Sequence, residues 1–476
     1  MMRLRASGTL FVFLTLLSAA LAAERPNVVV ILADDLGWGG VSYHQKWAET
    51  PNIDRLATEG IQLDRFYVAP MCSPTRAGLL TGRYPIRFGL ARAVIPPQRN
   101  FGLPVQEQTL ADGLETAGYR HRGIFGKWHL GHHHVKWHPL SRGFTHFEGH
   151  YNGAIDYFSL EREGERDWHV NYEPSDRSGY STDLIADAAS EFIRTSASED
   201  APYFCYVPFN SPHSPFQAKP KDLRRYTKGG KRAQEATLLA MIHSLDQGVG
   251  QILEAIDDSG EAENTQVWFL SDNGGVSRFK RNNFPLHGSK LTTFEGGIRV
   301  VACVRWPRRW PGGRVIRHTT GYIDVLPTVL TTAGLNPADC AVPGRPLDGL
   351  SLDKLLSGES VSFPDREWYS YHGQAGAHKE TIAIRTPEWK LVVIGPDVRQ
   401  SPPTAAHQLY LYRMPGDLLE QQNVAKEYPH VVARLYSQLQ QHRRLQPNNG
   451  VPVYSLGKQE FTPWKNWKIP QGSRKP

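Results

Sequence analysis

Continuous apolar runs that stop abruptly at polar clusters dominate the first part of the chain. Val28 to Ala33 stops at Asp34-Asp35, and Gly123 to Phe125 at Gly126-Lys127-Trp128-His129. Tyr203 to Phe209 stops at Asn210-Ser211-Pro212-His213, and Val267 to Leu270 at Ser271-Asp272-Asn273-Gly274-Gly275. Runs without polar alternation predict strands covered on both faces, as in parallel sheets. Helical patterns over Asn52 to Glu59, Thr109 to Ala117, Thr182 to Arg194 and Ala233 to Asp257 supply the crossovers such strands need. Ligands of open α/β sheets bind beyond the carboxyl ends of strands, so the four polar clusters are expected to converge on one site.

After about Leu356 the pattern changes to shorter alternating segments at Glu367 to Tyr371, Ile382 to Arg385, Trp389 to Ile394 and Gln408 to Tyr412. These predict a small antiparallel sheet. Val431 to Leu445 reads as an amphipathic helix, and the tail from Gln446 is expected to wrap the surface or be partly disordered. The predicted fold is therefore α/β: a large, mostly parallel sheet sandwiched by helices in residues 23–356, then a smaller antiparallel sheet plus helix in 357–476.

Residues 1–22 stand apart. Arg3 and Arg5 precede an apolar stretch from Leu10 to Leu17 that ends in Ala20-Leu21-Ala22, the form of a secretory signal peptide. The run is shorter than the roughly 20 residues that cross a bilayer, so no stable membrane insertion is expected and the mature chain is expected to be secreted or periplasmic.

Composition narrows the classes further. With 40% hydrophobic and 21% charged residues, the 476-residue chain has the balance of ordinary globular domains, not of a disordered or polytopic membrane protein. Lys and Arg number 54 against 47 Asp and Glu, a small surplus. With no zinc-finger spacing, heptad-linked basic region or RNP-like aromatic run, it gives no ground for nucleic acid as a partner. The 4 cysteines are too scattered for a disulfide framework.

Adjacent carboxylates at a strand end, Asp34 and Asp35, repel each other unless a cation or strong donors hold them. Asp272 and Asn273 add a carboxylate and an amide oxygen, and an all-oxygen set suits Ca²⁺ or Mg²⁺ better than zinc. Either pair alone reads equally well as a helix or turn cap. His132-His133-His134 reads as a solvated loop or a sugar contact. Trp137, His138, His150, Asp156, Trp168 and His169 suit a pyranose subsite or core packing.

Cys72-Ser73-Pro74-Thr75-Arg76, followed by Leu80-Thr81-Gly82-Arg83, resembles the maturation motif of the type I sulfatases. The resemblance implies an alkaline phosphatase-like fold and a formylglycine (3-oxoalanine) made from Cys72 by a formylglycine-generating or sulfatase-maturating enzyme. The hydrate of that aldehyde is the family's nucleophile. Asp34, Asp35, Asp272 and Asn273 fall where the family holds calcium, with an oxygen of the matured Cys72 as a further ligand. Gly126-Lys127-Trp128-His129-Leu130-Gly131 resembles a second family motif, in which Lys127 and His129 alternate along an extended backbone and face one side. His213, and Lys290 before Phe294-Glu295-Gly296-Gly297-Ile298-Arg299, match two more. The implied roles are Arg76 neutralising and orienting the nucleophile, Lys127 and Lys290 binding sulfate oxygens, His213 as general acid and His129 as base.

Finer matches, including Phe284-Pro285-Leu286, Ile323-Asp324-Val325-Leu326-Pro327-Thr328 and Gly149-His150-Tyr151-Asn152, resemble the arylsulfatase B branch and its bacterial relatives. They imply a sulfated saccharide, a galactosaminoglycan or sulfated galactan carrying 4-O-sulfate, with His150, Asp156 and His287 as sugar contacts. Two departures stand out: Gly153-Ala154 occupies the place of a sulfate-contacting serine in some sulfatases, and His287 that of an arginine in the animal enzyme. Two alternatives remain at this point. One is a phosphonate or phosphate monoester hydrolase of the same superfamily, and the other is a catalytically silent glycan-binding protein in which Cys72 stays a thiol.

Overall fold

A computed structural model describes residues 25–469 apart from 200, 228–231, 401 and 415. The leader predicted over residues 1–22 lies outside the described residues. Among the described residues no helix is long and apolar enough to cross a membrane.

The main sheet has ten strands: β1 (Asn27–Ala33), β2 (Ile61–Leu63), β3 (His121–Lys127), β4 (His146–His150), β5 (His169–Val170), β6 (Glu173–Pro174), β7 (Tyr203–Pro208), β8 (Thr265–Ser271), β9 (Ala302–Arg305) and β10 (Arg314–Ile316). Their order is β10-β2-β9-β8-β1-β7-β3-β4-β5-β6. The central five, β8-β1-β7-β3-β4, run parallel, and antiparallel pairings extend the sheet beyond them on both sides. Register aligns their carboxyl ends: Ala33 lies opposite Ser271, Leu32 opposite Pro208 and Lys127 opposite His150.

All seven residues of β1 are buried, because helices cover both faces. Val28, Val30 and Leu32 belong to a core that includes Leu79 and Leu80 of one helix and Val329 and Leu330 of another in the same layer. Val29, Ile31 and Ala33 face the opposite layer, with Ile185, Ile193, Leu245 and Ile252. Each such aliphatic side chain contributes about 1.5–3 kcal/mol by leaving water. Helices observed at Pro51–Glu59, Leu110–Thr116, Ser181–Ala197 and Ala233–Asp258 fall on the predicted segments. The third and fourth lie side by side and present that second layer.

The C-terminal sheet comprises β11 (Trp368–His372), β12 (Glu380–Arg385), β13 (Trp389–Gly395) and β14 (Gln408–Arg413), antiparallel throughout. One face, through Ile382, Ile384, Leu391 and Val393, packs on Leu435 and Leu439 of the helix Pro429–Arg443. The other face, through Ala383, Val392 and Tyr412, receives Phe294 from the larger part.

The tail and the triple histidine can now be placed. The tail wraps the surface and anchors in it: Val451 N donates to Gly89 O at 2.7 Å, Trp467 is fully buried, and its Nε1 donates to Arg162 O at 2.9 Å. The triple histidine divides, with His132 buried and His133 and His134 half-buried, and none of the three lines the cleft described below. His132 is buried, with its ring 5.4 Å from that of Trp467, and His133 packs 4.6 Å from Trp464. Arg443 of the helix Pro429–Arg443 is buried because Glu380 takes its guanidinium in two bonds of 2.9 and 2.7 Å.

Candidate active site

The carboxyl ends of β1, β3, β7 and β8 meet at the start of the helix Cys72–Thr81, all ten residues of which are buried. The motif that begins this helix has a local use for nearly every residue. Pro74 sits in the first turn, where a missing N–H costs nothing. Ser73 Oγ donates to His129 O at 3.0 Å, and Thr75 Oγ1 accepts from Ala69 N at 3.0 Å. A Cβ on Gly78 would lie 2.1 Å from the Tyr322 ring, and Gly82 ends the helix with φ of 65°. Arg76 follows Cys72 by one turn and therefore shares its face.

Arg76 is fully buried. Its Nε and Nη2 donate to Asp272 Oδ2 at 3.2 and 2.8 Å, Nη1 donates to Lys127 O at 2.9 Å, and Nη2 lies 3.4 Å from Asp34 Oδ2. The guanidinium thus braces the carboxylates behind Cys72 and has no hydrogen bond to the sulfur itself. Lys127 Nζ pairs with Asp34 Oδ2. Lys290 Nζ donates to Asp35 Oδ1 at 2.6 Å, which also accepts from Asn273 Nδ2 at 2.7 Å. Against the cost of burial, Lys290 and then His213 hold Asp35 down to about 2. Burial and the neighbouring Asp34 push Asp272 up to about 6, although Arg76 opposes them.

The side chains present fit a hard divalent cation. Asp34 Oδ1 and Asn273 Oδ1 are buried oxygens without a hydrogen-bond partner among the described residues, beside the oxygens of Asp35 and Asp272. Asp34, Asp35 and His213 each offer an atom within 4.8 Å of the others. Such an oxygen-rich nest is the donor chemistry of Ca²⁺.

Lys127 and His129 reach the site by different routes, which corrects the expected alternation. Lys127 ends β3, whereas His129 lies beyond it with φ of 54°, in the left-handed region. His129 Nε2 is 3.0 Å from Ile95 O, which can only accept, so Nε2 carries the hydrogen and the Nδ1 lone pair faces Cys72 Sγ at 3.3 Å. Burial, Lys127 and Arg76 depress its pKa well below the usual range and keep it neutral. Burial likewise pushes the Cys72 thiol up, the reverse of what a thiolate nucleophile needs. His213 Nδ1 contacts Ser214 O at 2.6 Å while Nε2 lies 3.7 Å from Asp35 Oδ2. Burial, helped by Lys290, lowers its pKa to about 3.

Comparison with known proteins gives this nest a family. The Sulfatase family matches residues 26–335. The chain belongs to the sulfatase family. It is 33% identical to the N-acetylgalactosamine-6-sulfatase of Rattus norvegicus over 94% of this chain and 91% of that protein, and 29% identical to arylsulfatase J of Mus musculus over 90% and 77%. The solved structure of Ps i-CgsB in complex with k-i-k-neocarrahexaose superposes with a TM-score of 0.80 at 27% identity, covering 91% of this chain and 96% of that one. As a sulfatase, the protein is a sulfuric ester hydrolase.

In this sulfatase Cys72, His129, His213 and Lys290 line a cleft of about 740 Å³. Lys127, expected to meet sulfate, is instead fully buried on Asp34. The expected sugar contacts fare differently. Asp156 lines the cleft, but its carboxylate accepts from Phe158 N, Ser159 N and Gln217 Nε2 and so ties its own loop. His150 is fully buried, held through Nδ1 to Asn152 O at 2.9 Å, and has no face open to sugar. His287 is outside the lining because its ring packs on Phe294, centroids 4.3 Å apart, with Nδ1 3.9 Å from Glu420. Trp168, His138 and His169 are buried core residues.

Arg162, Gln374 and Tyr454 line the same cleft and were not foreseen. They come from a two-stranded hairpin, the turn between β11 and β12, and the tail, and no local pattern marks them. The missing serine has a physical account. A Cβ on Gly153 would fall 2.4 Å from His129 Cε1, so the His129 ring occupies the space a side chain there would need.

Proposed function

We propose that this sulfatase is an exported enzyme that removes sulfate from a sulfated saccharide, a galactosaminoglycan or sulfated galactan, using a formylglycine made from Cys72 and a calcium ion. Asp34, Asp35, Asp272 and Asn273 would hold the ion, and a formylglycine-generating or sulfatase-maturating enzyme would convert the cysteine. When present, the aldehyde hydrate supplies the nucleophile, and calcium supplies charge that stabilises it and polarises the ester.

The observation that carries the reading is the convergence on Cys72 of three carboxylates, three side-chain cations and a neutral histidine whose lone pair faces the sulfur. Asp34, Asp35 and Asp272 already balance Arg76, Lys127 and Lys290. A divalent ion therefore leaves a positive surplus in a buried site, which an anionic ester neutralises. Lys290, at the cleft wall, binds the sulfate oxygens and offsets charge as the S–O bond breaks. Lys127 holds Asp34 and contributes its charge from behind. His129 Nδ1 accepts a proton from the group at position 72. An anion beside His213 favours its protonated form, as a donor to the leaving sugar oxygen requires.

The named relatives support the sugar class: one is an N-acetylgalactosamine-6-sulfatase and another was solved with k-i-k-neocarrahexaose. The ester position, 4-O from the motifs and 6-O from that relative's name, is read by assaying N-acetylgalactosamine 4-sulfate and 6-sulfate within a panel of sulfated oligosaccharides. The test of the chemistry is parallel turnover of 4-nitrophenyl sulfate and 4-nitrophenyl phosphate. Sulfate is expected to be preferred, and Cys72→Ala to remove the activity. Peptide mass spectrometry across Cys72 should show aldehyde in the active protein. A phosphate preference, or full activity with an unconverted thiol, overturns the proposal.

A further inference from the structure

A second buried cluster of charges lies outside the site, under the loop that carries Lys290. Glu295 and Lys390 are fully buried and Glu420 nearly so, although such residues are almost never buried unless paired. Lys390 Nζ lies 2.8 Å from Glu295 Oε1 and 2.7 Å from Glu420 Oε1. Lys390 stands on β13 of the C-terminal sheet, whereas Glu295 opens the short helix Glu295–Ile298 just before the chain returns to the main sheet. The pair crosses between the two parts of the molecule.

Adhesion does not require these charges, because Phe294 already packs into Ala383, Val392, Tyr412 and Met414 at the same boundary. Apolar residues often replace a buried ion pair without loss of stability. An ion pair adds direction, since it fixes where a particular main-chain segment sits. Glu295 Oε2 accepts from Tyr67 OH at 2.9 Å, and Glu295 N donates to Glu420 Oε2 at 2.8 Å. The next amide, Gly296 N, donates to His287 O at 2.6 Å and closes the loop. Within that loop Lys290 N donates to Gly275 O and Leu291 N to Pro70 O, both at 3.0 Å. Thr293 Oγ1 and Thr381 Oγ1, 2.7 Å apart, make a second polar tie to the C-terminal sheet. The Lys290 backbone is thus held on one side by segments next to Asn273 and Cys72, and on the other by the sheet that carries Lys390.

Charge distribution within the cluster favours one pair. Against the cost of burial, Lys390 keeps Glu295 below the usual carboxylate range, while burial, with Glu295 adding to it, pushes Glu420 up to about 7. We infer that Lys390 is a positioning residue: through its ion pair with Glu295 it sets the loop that places the Lys290 ammonium against the reacting anion. The inference rests on Lys290 being a ligand of that anion.

A double-mutant cycle in the full-length protein tests it. Lys390→Met, Lys290→Ala and the double variant are compared by kcat/KM on 4-nitrophenyl sulfate, and by calorimetric binding of inorganic sulfate to the same variants in a Cys72→Ala background. Lys390→Met is expected to lower both on the order of tenfold, the scale of a small misplacement. The double variant should be no worse than Lys290→Ala, because the residue through which Lys390 acts is gone. Additive losses overturn the inference, as does an unimpaired Lys390→Met beside an impaired Lys290→Ala. An unimpaired Lys290→Ala overturns the reading of Lys290 and the inference together. If Lys390→Met does not fold, Glu295→Gln breaks the same pair at nearly the same shape and must give the same pattern.

Discussion

The ring of His129 sits where any side chain on Gly153 would have to go. That exclusion ties two segments of the active site by space alone. Gly153→Ala is expected to displace His129 from Cys72 and Ile95, lowering turnover on the order of ten- to a hundredfold while the fold persists with a loss of about 1–3 kcal/mol. Steady-state kinetics beside denaturant unfolding checks this, and an unchanged kcat would show that the ring has room to move. Residues of this kind mark the limit of what a sequence displays. Asp34, Asp35, Asp272 and Asn273 were legible because each follows directly on a buried strand. The exposure of His150 and His287 was not. Orientation at those positions depends on neighbours brought in by the fold, Asn152 O in one case and Phe294 in the other.

The elements were more legible than the contacts between them. Continuous apolar runs gave β1, β7 and β8 to within two residues at either end, because strands covered on both faces leave no polar position to confuse the pattern. The short strands β2 and β10, three residues each, carry no such signal. The tail was legible in part: wrapping was one of its two readings, but the burial of Trp467, which donates to Arg162 O behind the cleft, carried no signal among its prolines and lysines. Asn466 N adds a bond to Glu165 Oε2 at 2.8 Å, so the tail holds the hairpin that presents Arg162. Trp467→Ala should cost about 3–5 kcal/mol in equilibrium unfolding. It should also speed amide exchange in the segment 161–166. Exchange there no faster than in the parent would mean that the hairpin stands without the tail.

For the molecule as a whole, the decisive quantity is the charge gathered at one end of the sheet. Three buried carboxylates share three buried or nearly buried cations, and Asp34 Oδ1 and the amide oxygen of Asn273 lack partners among the described residues. A divalent ion that binds there only in the folded state must stabilise it by mass action. Chelation is therefore expected to lower the melting temperature as well as abolish turnover, with both restored by calcium. Loss of activity without any thermal shift would place the ion elsewhere. The division into a large α/β part and a small antiparallel one was expected from the change of texture near residue 356. That the smaller part reaches under Lys290 was not, because Lys390 and Glu295 lie far apart in sequence and neither is remarkable on its own strand or turn.

The helix that begins at Cys72 has no exposed residue, and part of its cover, Tyr322 against Gly78, comes from far downstream. A maturating enzyme of the kind proposed for Cys72 would find no exposed main chain to grip once that cover is in place. On that proposal, the fate of residue 72 would be a race between conversion and closure, run once for each molecule as it is made. A chain that closed first would be sealed as a well-folded but inert protein. In a mixed preparation, specific activity would follow the fraction that was converted in time.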